Sequence, residues 1–506
     1  MCLPTPPVEA EPERDLLASG SPPALTPTSA EAPRYLRWVL RVASCDPWAV
    51  AAALRRPGDE FFLWRDGRTR RAFAALGQVA QVIVPQQRER MAEARVQAEA
   101  LAARTTELAA EGAAVADAAG LPLLVGGFAF AHCAPADPGA GGAPWRDWPG
   151  GRLVLPSVLL AEQERGQMVL VLSAGLENGD APSSVHEHLQ QTRAQIELAV
   201  EAANARAAAP TPLQRRATAP NAGAPSTPHD RLVPSPEVWL AQARRACQAI
   251  ASGEVHKIVL ARTAHWRARE GQHADLGVAL RRLRRGYGDC TIYAIGRADG
   301  SVLFGASPET LVELRDGQVT TVALAGTGPR HGDLARDESA AQALAASVKE
   351  RAEHRLVVGA LKQALRPWCS ELTLQAQPQV RKLRLLQHLE TPLRGRLARP
   401  AHVLQLVAAL HPTPAVAGWP TEAALGWLAR HEGIDRGWYA GPIGFCDRRG
   451  EGHFVVALRC ALLHEDQVWA FAGAGLTQRS SPPSEWEETQ LKLRTIAEAL
   501  AWTDTH

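Results

Sequence analysis

Strand-length apolar runs crowd the second half of the chain without a regular helix between successive members, and this limits the fold more than any other feature. The runs fall at 255–263, 291–296, 301–305, 310–314 and 318–325, and two hairpins follow, turning at Arg448-Arg449-Gly450 and His464-Glu465-Asp466. Helical spacing is confined to fewer places. Ser235-Pro236 opens a helix carrying Trp239, Ala243, Ala246 and Ile250 on one face, and further helices are expected over 336–366, 401–409 and 484–501. Strands and helices mix without βαβ alternation or a repeat. The expected class is therefore α+β, with a large antiparallel sheet.

The first half reads as a strand at 61–64, a long Ala/Glu/Arg helix over 86–119, strand-like pieces at 122–130, 153–160 and 168–173, and a helix over 184–208. Gly126-Gly127-Phe128 is either a tight strand bend or a place where backbone approaches a ligand. Residues 1–33 carry too little periodic apolar surface to offset the entropy of ordering and are expected to be a disordered tail. A second Pro/Ala-rich stretch, 203–234, with Pro210, Pro212, Pro220, Pro225 and Pro228, reads as a linker or insertion between a half at 34–202 and a half at 235–506.

Charge and cysteine usage exclude several classes. With 55 Lys+Arg against 53 Asp+Glu the formal charge is +2, so no net field argues for nucleic acid or an anionic membrane as partner. The run Arg281, Arg282, Arg284, Arg285 reads as a solvated helix end. Eight scattered cysteines, with no C-x-x-C pair, argue against a zinc site or a disulfide framework and for a reducing, cytoplasmic setting. No stretch reaches the roughly 18 apolar residues of a membrane helix, and the Pro/Glu-rich start is unlike a signal peptide.

Several polar residues stand where a core would not choose them. Alternation along 255–262 places Lys257 with Val259 and Ala261 on a largely apolar strand, so it either snorkels to water or is desolvated and a candidate general base. Glu309, in Ser307-Pro308-Glu309, sits in a tight turn between strands, which is either an ordinary turn or a rigid place from which a proton could be delivered. On the helix at 336–366 the inward stripe expected from spacing is Ala346, Glu350, Glu353, Val357, Ala360 and Ala364, and its two acids need either a salt bridge to Arg351 or His354 or a metal. In the last helix Ser484 and Glu487 form a capping box, leaving Glu485 and Glu488, with a Glu488–Lys492 pair as the plain alternative. Two isolated helix carboxylates suit Mg²⁺, which keeps waters and accepts substrate oxygens. Arg459 interrupts the apolar row Val455, Ala457, Ala461, Leu463 and calls for an anion. Gly473-Ala474-Gly475, at the end of the next strand, is either a set of free amides that could bind a carboxylate or a simple glycine turn. Together these residues suggest an enzyme for a small carboxylated substrate.

The motifs that carry them resemble the chorismate-utilising enzymes, and within that family the isochorismate synthases of menaquinone and siderophore pathways. The resemblance runs almost continuously over about 235–500, through Glu254-Val255-His256-Lys257-Ile258-Val259-Leu260-Ala261-Arg262, Gly305-Ala306-Ser307-Pro308-Glu309, Lys349-Glu350-Arg351-Ala352-Glu353-His354, His411-Pro412-Thr413-Pro414-Ala415-Val416 and Glu485-Trp486-Glu487-Glu488. It implies one large domain with a layered antiparallel β core surrounded by helices, chorismate as substrate and Mg²⁺ as cofactor. It also implies that Lys257 is the base activating water and Glu309 the acid that protonates the departing hydroxyl. Glu353 and Glu488 would hold the metal, and Arg459 and Gly475 the enolpyruvyl carboxylate. Gly326, Thr327, His388, Ala415, Val416 and Tyr439 would line the pocket. Ala325 stands where aminodeoxychorismate synthases carry a nucleophilic lysine, so water is the expected nucleophile, and no obligatory glutaminase subunit is expected. Salicylate synthases, which go on to eliminate pyruvate, are the alternative; an anthranilate synthase component or an inactive chorismate-binding homologue follows behind. His453 departs from the glutamate usual before Phe454.

Overall fold

Two large sheets pack against each other, and each is built from a block of second-half strands joined at one seam to a block of first-half strands. The structure is a computed structural model that describes residues 35–56, 58–109, 120–131, 145–163, 166–176, 182–208 and 231–504. The expected tail at 1–33 and most of the expected linker lie outside the described residues. One sheet, of 13 strands, runs from Arg231–Val233 through Lys257–Arg267, Gln467–Leu476, Cys460–His464, Val302–Ser307 and Thr291–Gly296. It continues into the first half through Phe61–Asp66, Ala72–Leu76, Val158–Glu162, Met168–Gly175, Tyr35–Val42 and Thr105–Ala109. The second, of 10 strands, joins Leu386–Leu397, Gln318–Pro329, Thr310–Arg315, Gly452–Val456 and Pro442–Cys446 to Leu124–Phe128, Gly151–Leu155 and Ala80–Val84. Among the described residues every pairing is antiparallel except Tyr35–Val42 with Thr105–Ala109. The largest core cluster takes Leu260, Phe62 and Trp64 from the first sheet and Phe128, Val312 and Phe454 from the second, so the core lies between the layers.

The expected α+β class, with one antiparallel β core for both halves, is what the structure has. The seam between the halves is made of ladders, Ala294 opposite Leu63 in one sheet and Gly444 opposite Gly126 in the other. Gly126-Gly127-Phe128 is inside a strand. A side chain at Gly126 would begin 2.0 Å from the Arg152 carbonyl, so close strand approach accounts for the glycines.

Several boundaries differ from expectation for local reasons. The helix expected over 86–119 is Arg90–Ala103; Thr105–Ala109 then turns into a strand because Tyr35–Val42 offers it an edge, and 110–119 lies outside the described residues. The linker is structured at both margins: the Ala-rich stretch to Ala208 continues the helix Pro182–Ala208, and Arg231–Val233 pairs with Thr263–His265. The helix expected over 336–366 is two, Leu334–Ala346 and Val348–Leu365. Ser347 breaks it with ψ 119° and caps the second helix, its Oγ accepting from Glu350 N at 3.3 Å. The last helix starts at Pro482 with Ser481 as its N-cap, so Ser484 is exposed inside the first turn and the expected capping box is absent.

The strand that carries Lys257 is paired along one side by Gln467–Leu476. Its other side has a gap between the short strands Gly418–Trp419 and Arg231–Val233. A buried ion pair closes the gap: Glu432 accepts from Ala261 N at 2.8 Å, and Arg436 donates to Val259 O at 2.6 Å and to Glu432 at 2.6 and 2.7 Å. Removing one member of such a pair strands the other charge. Glu432→Ala is expected to cost about 3–5 kcal/mol, read as a lower urea midpoint.

Candidate active site

At two neighbouring points the chain crosses from one sheet to the other, and the candidate acid and the candidate anion holder stand at these crossings. Ser307 ends a strand of the first sheet and Thr310 begins one of the second; Val456 ends a strand of the second and Cys460 begins one of the first. The crossings are bonded together through Val456 N to Glu309 O at 3.1 Å and Ala306 N to Arg459 O at 3.2 Å. Any side chain at Gly305 would begin 2.7–2.9 Å from Cys460 and the Arg459 carbonyl, so this contact needs a bare backbone. Arg459 is thus in a crossing with φ +50°, and the single strand expected through 455–463 does not form.

Glu309 is buried, 3% exposed, with Thr413 Oγ1 donating to its Oε1 at 3.4 Å. Burial pushes its carboxyl up to about 7, and the charge of Lys257, followed by the Thr413 hydrogen bond and Arg459, holds it from rising further. Lys257 is 1% exposed and its Nζ lies 2.9 Å from Glu353 Oε1, which excludes the snorkelling alternative. A methyl group at Gly475 would come within 2.8 Å of Glu353 Oε1 and 3.1 Å of Lys257 Cε, so the pair lies directly against this glycine.

The remaining expected pocket residues surround these groups. Gly326, at φ +80°, forms a bulge between Ala325 and Thr327, the kind of irregularity that re-aims a strand beside a site. Thr327 N donates to Glu350 Oε2 at 3.0 Å, and Thr327 pairs in register with His388. Arg459 Nη2 lies 3.2 Å from His388 Nε2, and Gly326 O lies 3.3 Å from Nδ1. Arginine can only donate, so this pattern assigns the ring proton to Nδ1. Burial and the Arg459 charge hold the imidazole well below its ordinary range, hence neutral. Tyr439 is buried and stacked on Phe471, 5.2 Å between centroids, and its hydroxyl stands 3.1 Å from where a side chain at Gly473 would begin. Val416 is buried, and Ala415 N donates to Thr413 Oγ1 at 3.3 Å. His453 faces Asp66 and Trp64 between the sheets, with Nδ1 3.7 Å from Asp66 Oδ2.

The candidate metal acids form two facing pairs. The inward face of Val348–Leu365 is His354, Val357, Leu361 and Leu365, which leaves Glu350 and Glu353 at its margin and corrects the expected stripe; Ala346 is exposed. His354 bonds Ala325 O and Thr391 Oγ1, and Arg351 bonds Ala345 O and Gln377 Oε1, so neither serves these acids. Lysines do. Lys257 holds Glu353, Lys492 holds Glu488 at 2.6 Å, and Lys349 Nζ bridges Glu350 at 3.3 Å and Glu485 at 2.9 Å. Burial raises both Glu350 and Glu485, and the second acid of each pair, Glu353 and Glu488 respectively, raises it further. Burial also raises Glu353, but the charge of Lys257 overrides it and the net direction is down. Four acids facing three ammonium groups leave room for a further cation. No three His, Cys, Asp or Glu groups among the described residues are gathered for a metal, so a magnesium ion here would take its other ligands from water and substrate.

Thr413, Lys349 and Lys492 were not singled out as site residues by sequence. Thr413 and Lys349 stand within motifs already in view, and Lys492 entered only as the ion-pair partner of Glu488.

The fold defines a known class. The chain belongs to the chorismate binding enzymes, whose family model matches residues 24–501. It is 43% identical over 290 residues to a salicylate biosynthesis isochorismate synthase of Pseudomonas aeruginosa, covering 57% of this chain and 60% of that protein. Isochorismate synthase MenF of Bacillus subtilis is 29% identical over 463 residues, covering 91% of this chain and 92% of that one. The structure of the menaquinone-specific isochorismate synthase MenF of Escherichia coli superposes with a TM-score of 0.67 at 24% identity, over 92% of this chain and 95% of that chain, and so shares its fold.

Proposed function

We propose that the protein is an isochorismate synthase that isomerises chorismate by adding water at one ring carbon and releasing a hydroxyl at another. The observation that carries this reading is the joint placement of a buried lysine and a buried carboxyl titrating near neutrality beside a cationic arginine. Lys257, in its neutral form, released from its ion pair with Glu353, takes a proton from the attacking water. Glu309, held protonated below about pH 7, gives one to the departing hydroxyl. Arg459 and the backbone at Gly475 hold the enolpyruvyl carboxylate, while Gly326, Thr327, neutral His388, Ala415, Val416 and Tyr439 shape the pocket.

Magnesium is the proposed cofactor, with Glu353 and Glu488 as the residues that would hold it; bound there, it would neutralise the ring carboxylate. The gathering of the two helices' acids, with Lys349 bridging Glu350 and Glu485, supports a cation at this place. Six described cysteines are free, and no helix among the described residues is long and apolar enough to cross a membrane; the free thiols support a cytoplasmic setting.

Incubation with chorismate and Mg²⁺, followed by chromatographic separation, tests the reading. Isochorismate without pyruvate is expected, and chelation of divalent ions is expected to stop its formation. Pyruvate with salicylate would establish a salicylate synthase, ammonia-dependent anthranilate an amination enzyme, and saturable binding without product a silent homologue.

A further inference from the structure

The peptide unit that precedes Glu309 is gripped at both of its polar groups. Its N–H donates to Ser307 Oγ at 3.2 Å, and Ser307 is itself anchored to Val456 O at 2.6 Å. Its carbonyl, that of Pro308, accepts from Arg381 Nη1 at 2.6 Å. With Glu309 O accepting from Val456 N, every backbone polar group on either side of the Glu309 side chain has a partner. Of these partners only Arg381 is a charged side chain, and it comes from a remote strand, Gln379–Lys382.

Arg381 is in turn held on several sides. Nη1 also donates to Glu390 Oε2 at 3.0 Å, and Nη2 donates to Asp289 O at 2.7 Å. The same Glu390 oxygen accepts from Arg68 Nη2 at 2.5 Å, in the hairpin turn between Phe61–Asp66 and Ala72–Leu76. That hairpin is seated against the loop it helps to hold, with Gly67 N donating to Cys290 O at 3.1 Å. One guanidinium therefore ties a strand of the second sheet to the crossing at Pro308, to a loop of the second half and, through Glu390, to a hairpin of the first half. Charge-assisted bonds from a planar, multiply bonded arginine fix direction as well as distance.

We propose that Arg381 is a positioning residue for the acid: by holding the Pro308 carbonyl it sets the direction from which the Glu309 carboxyl reaches the substrate ring. The proposal rests on the reading of Glu309 as proton donor. Arg381 touches neither the Glu309 carboxyl nor any group assigned to the substrate carboxylates, so its loss should affect turnover and spare affinity.

The test is steady-state kinetics on chorismate with the full-length protein, folding being checked by thermal melting. Arg381→Met is expected to lower kcat by about 10–100-fold, the penalty of misplacing a reacting group by an ångström or less, with KM little changed. Arg381→Lys, which keeps one cationic donor for the carbonyl, should recover part of the loss. In a Glu309→Gln background, Arg381→Met should change the residual rate by less than about twofold, because the group it positions is already gone. Equal losses in the two backgrounds, an unchanged kcat, or a raised KM at constant kcat would overturn the proposal. If Arg381→Met does not fold, Arg381→Lys and Arg68→Ala carry the same comparison, each expected to lower kcat in the wild-type background only. Wild-type protein that leaves chorismate unchanged would overturn the reading of the site, and this proposal with it; an active wild type beside an equally active Arg381→Met overturns the proposal alone.

Discussion

Lys257→Ala is expected to bind chorismate and turn almost none of it over, with kcat lower by about 10²–10⁴-fold, the usual cost of removing a general base. That range corresponds to about 2.7–5.5 kcal/mol of barrier. The groups expected to hold the substrate carboxylate stand on other elements, Arg459 in a sheet crossing and Gly475 on the neighbouring strand, so affinity should survive. The substitution also removes the cation 2.9 Å from Glu353 and leaves that carboxylate partly buried. Glu353 should then titrate higher than in the wild type, since the charge that lowers it is gone. Equilibrium binding and single-turnover measurements separate the two effects. Near wild-type turnover would remove Lys257 from the mechanism.

Glu309→Gln should lose turnover to a similar degree and yet be the more stable protein in alkali. The folded-state pKa of Glu309, about 7, lies above that of an unfolded glutamate. A carboxyl raised in this way favours folding at low pH, where it is protonated in both states, and that advantage is lost as pH rises through the folded value. By pH 8 the charge costs about 3 kcal/mol, taking 1.36 kcal/mol per pKa unit. Glutamine has no charge to pay, so its melting temperature should exceed the wild type's at pH 8 and match it more closely near pH 5. Wild-type kcat/KM should fall above about pH 7 as the acid ionises. A glutamine variant destabilised at both pH values would contradict the burial argument.

Much of the β framework of the second half was legible because its strands alternate cleanly and are separated by recognisable turns. Local pattern failed where tertiary partners decided the outcome. Residues 455–463 read as one apolar strand, and no glycine or proline marks the crossing; the sharp turn is made by Arg459 itself in the left-handed region. The break at Ser347 is hidden in an Ala-rich helical pattern and is visible only through the cap that Ser347 provides. Thr105–Ala109 follows a helix in a continuous Ala/Glu run and becomes a strand because an edge is there to receive it. The pairing of Lys257 with Glu353 spans most of a hundred positions. Residue types could mark each as unusual, and the family resemblance assigned each a role, but neither indicated that they touch.

The joining of the two halves at a seam in each sheet has a consequence for biosynthesis. Phe61–Asp66 borders Thr291–Gly296, and Leu124–Phe128 borders Pro442–Cys446, so strands made early must wait for most of the chain to leave the ribosome. During that interval their open edges are available to other nascent chains, and contacts so distant in sequence form slowly. Slower translation of the second half should therefore lower the soluble yield, and chaperones that shield strand edges should restore it.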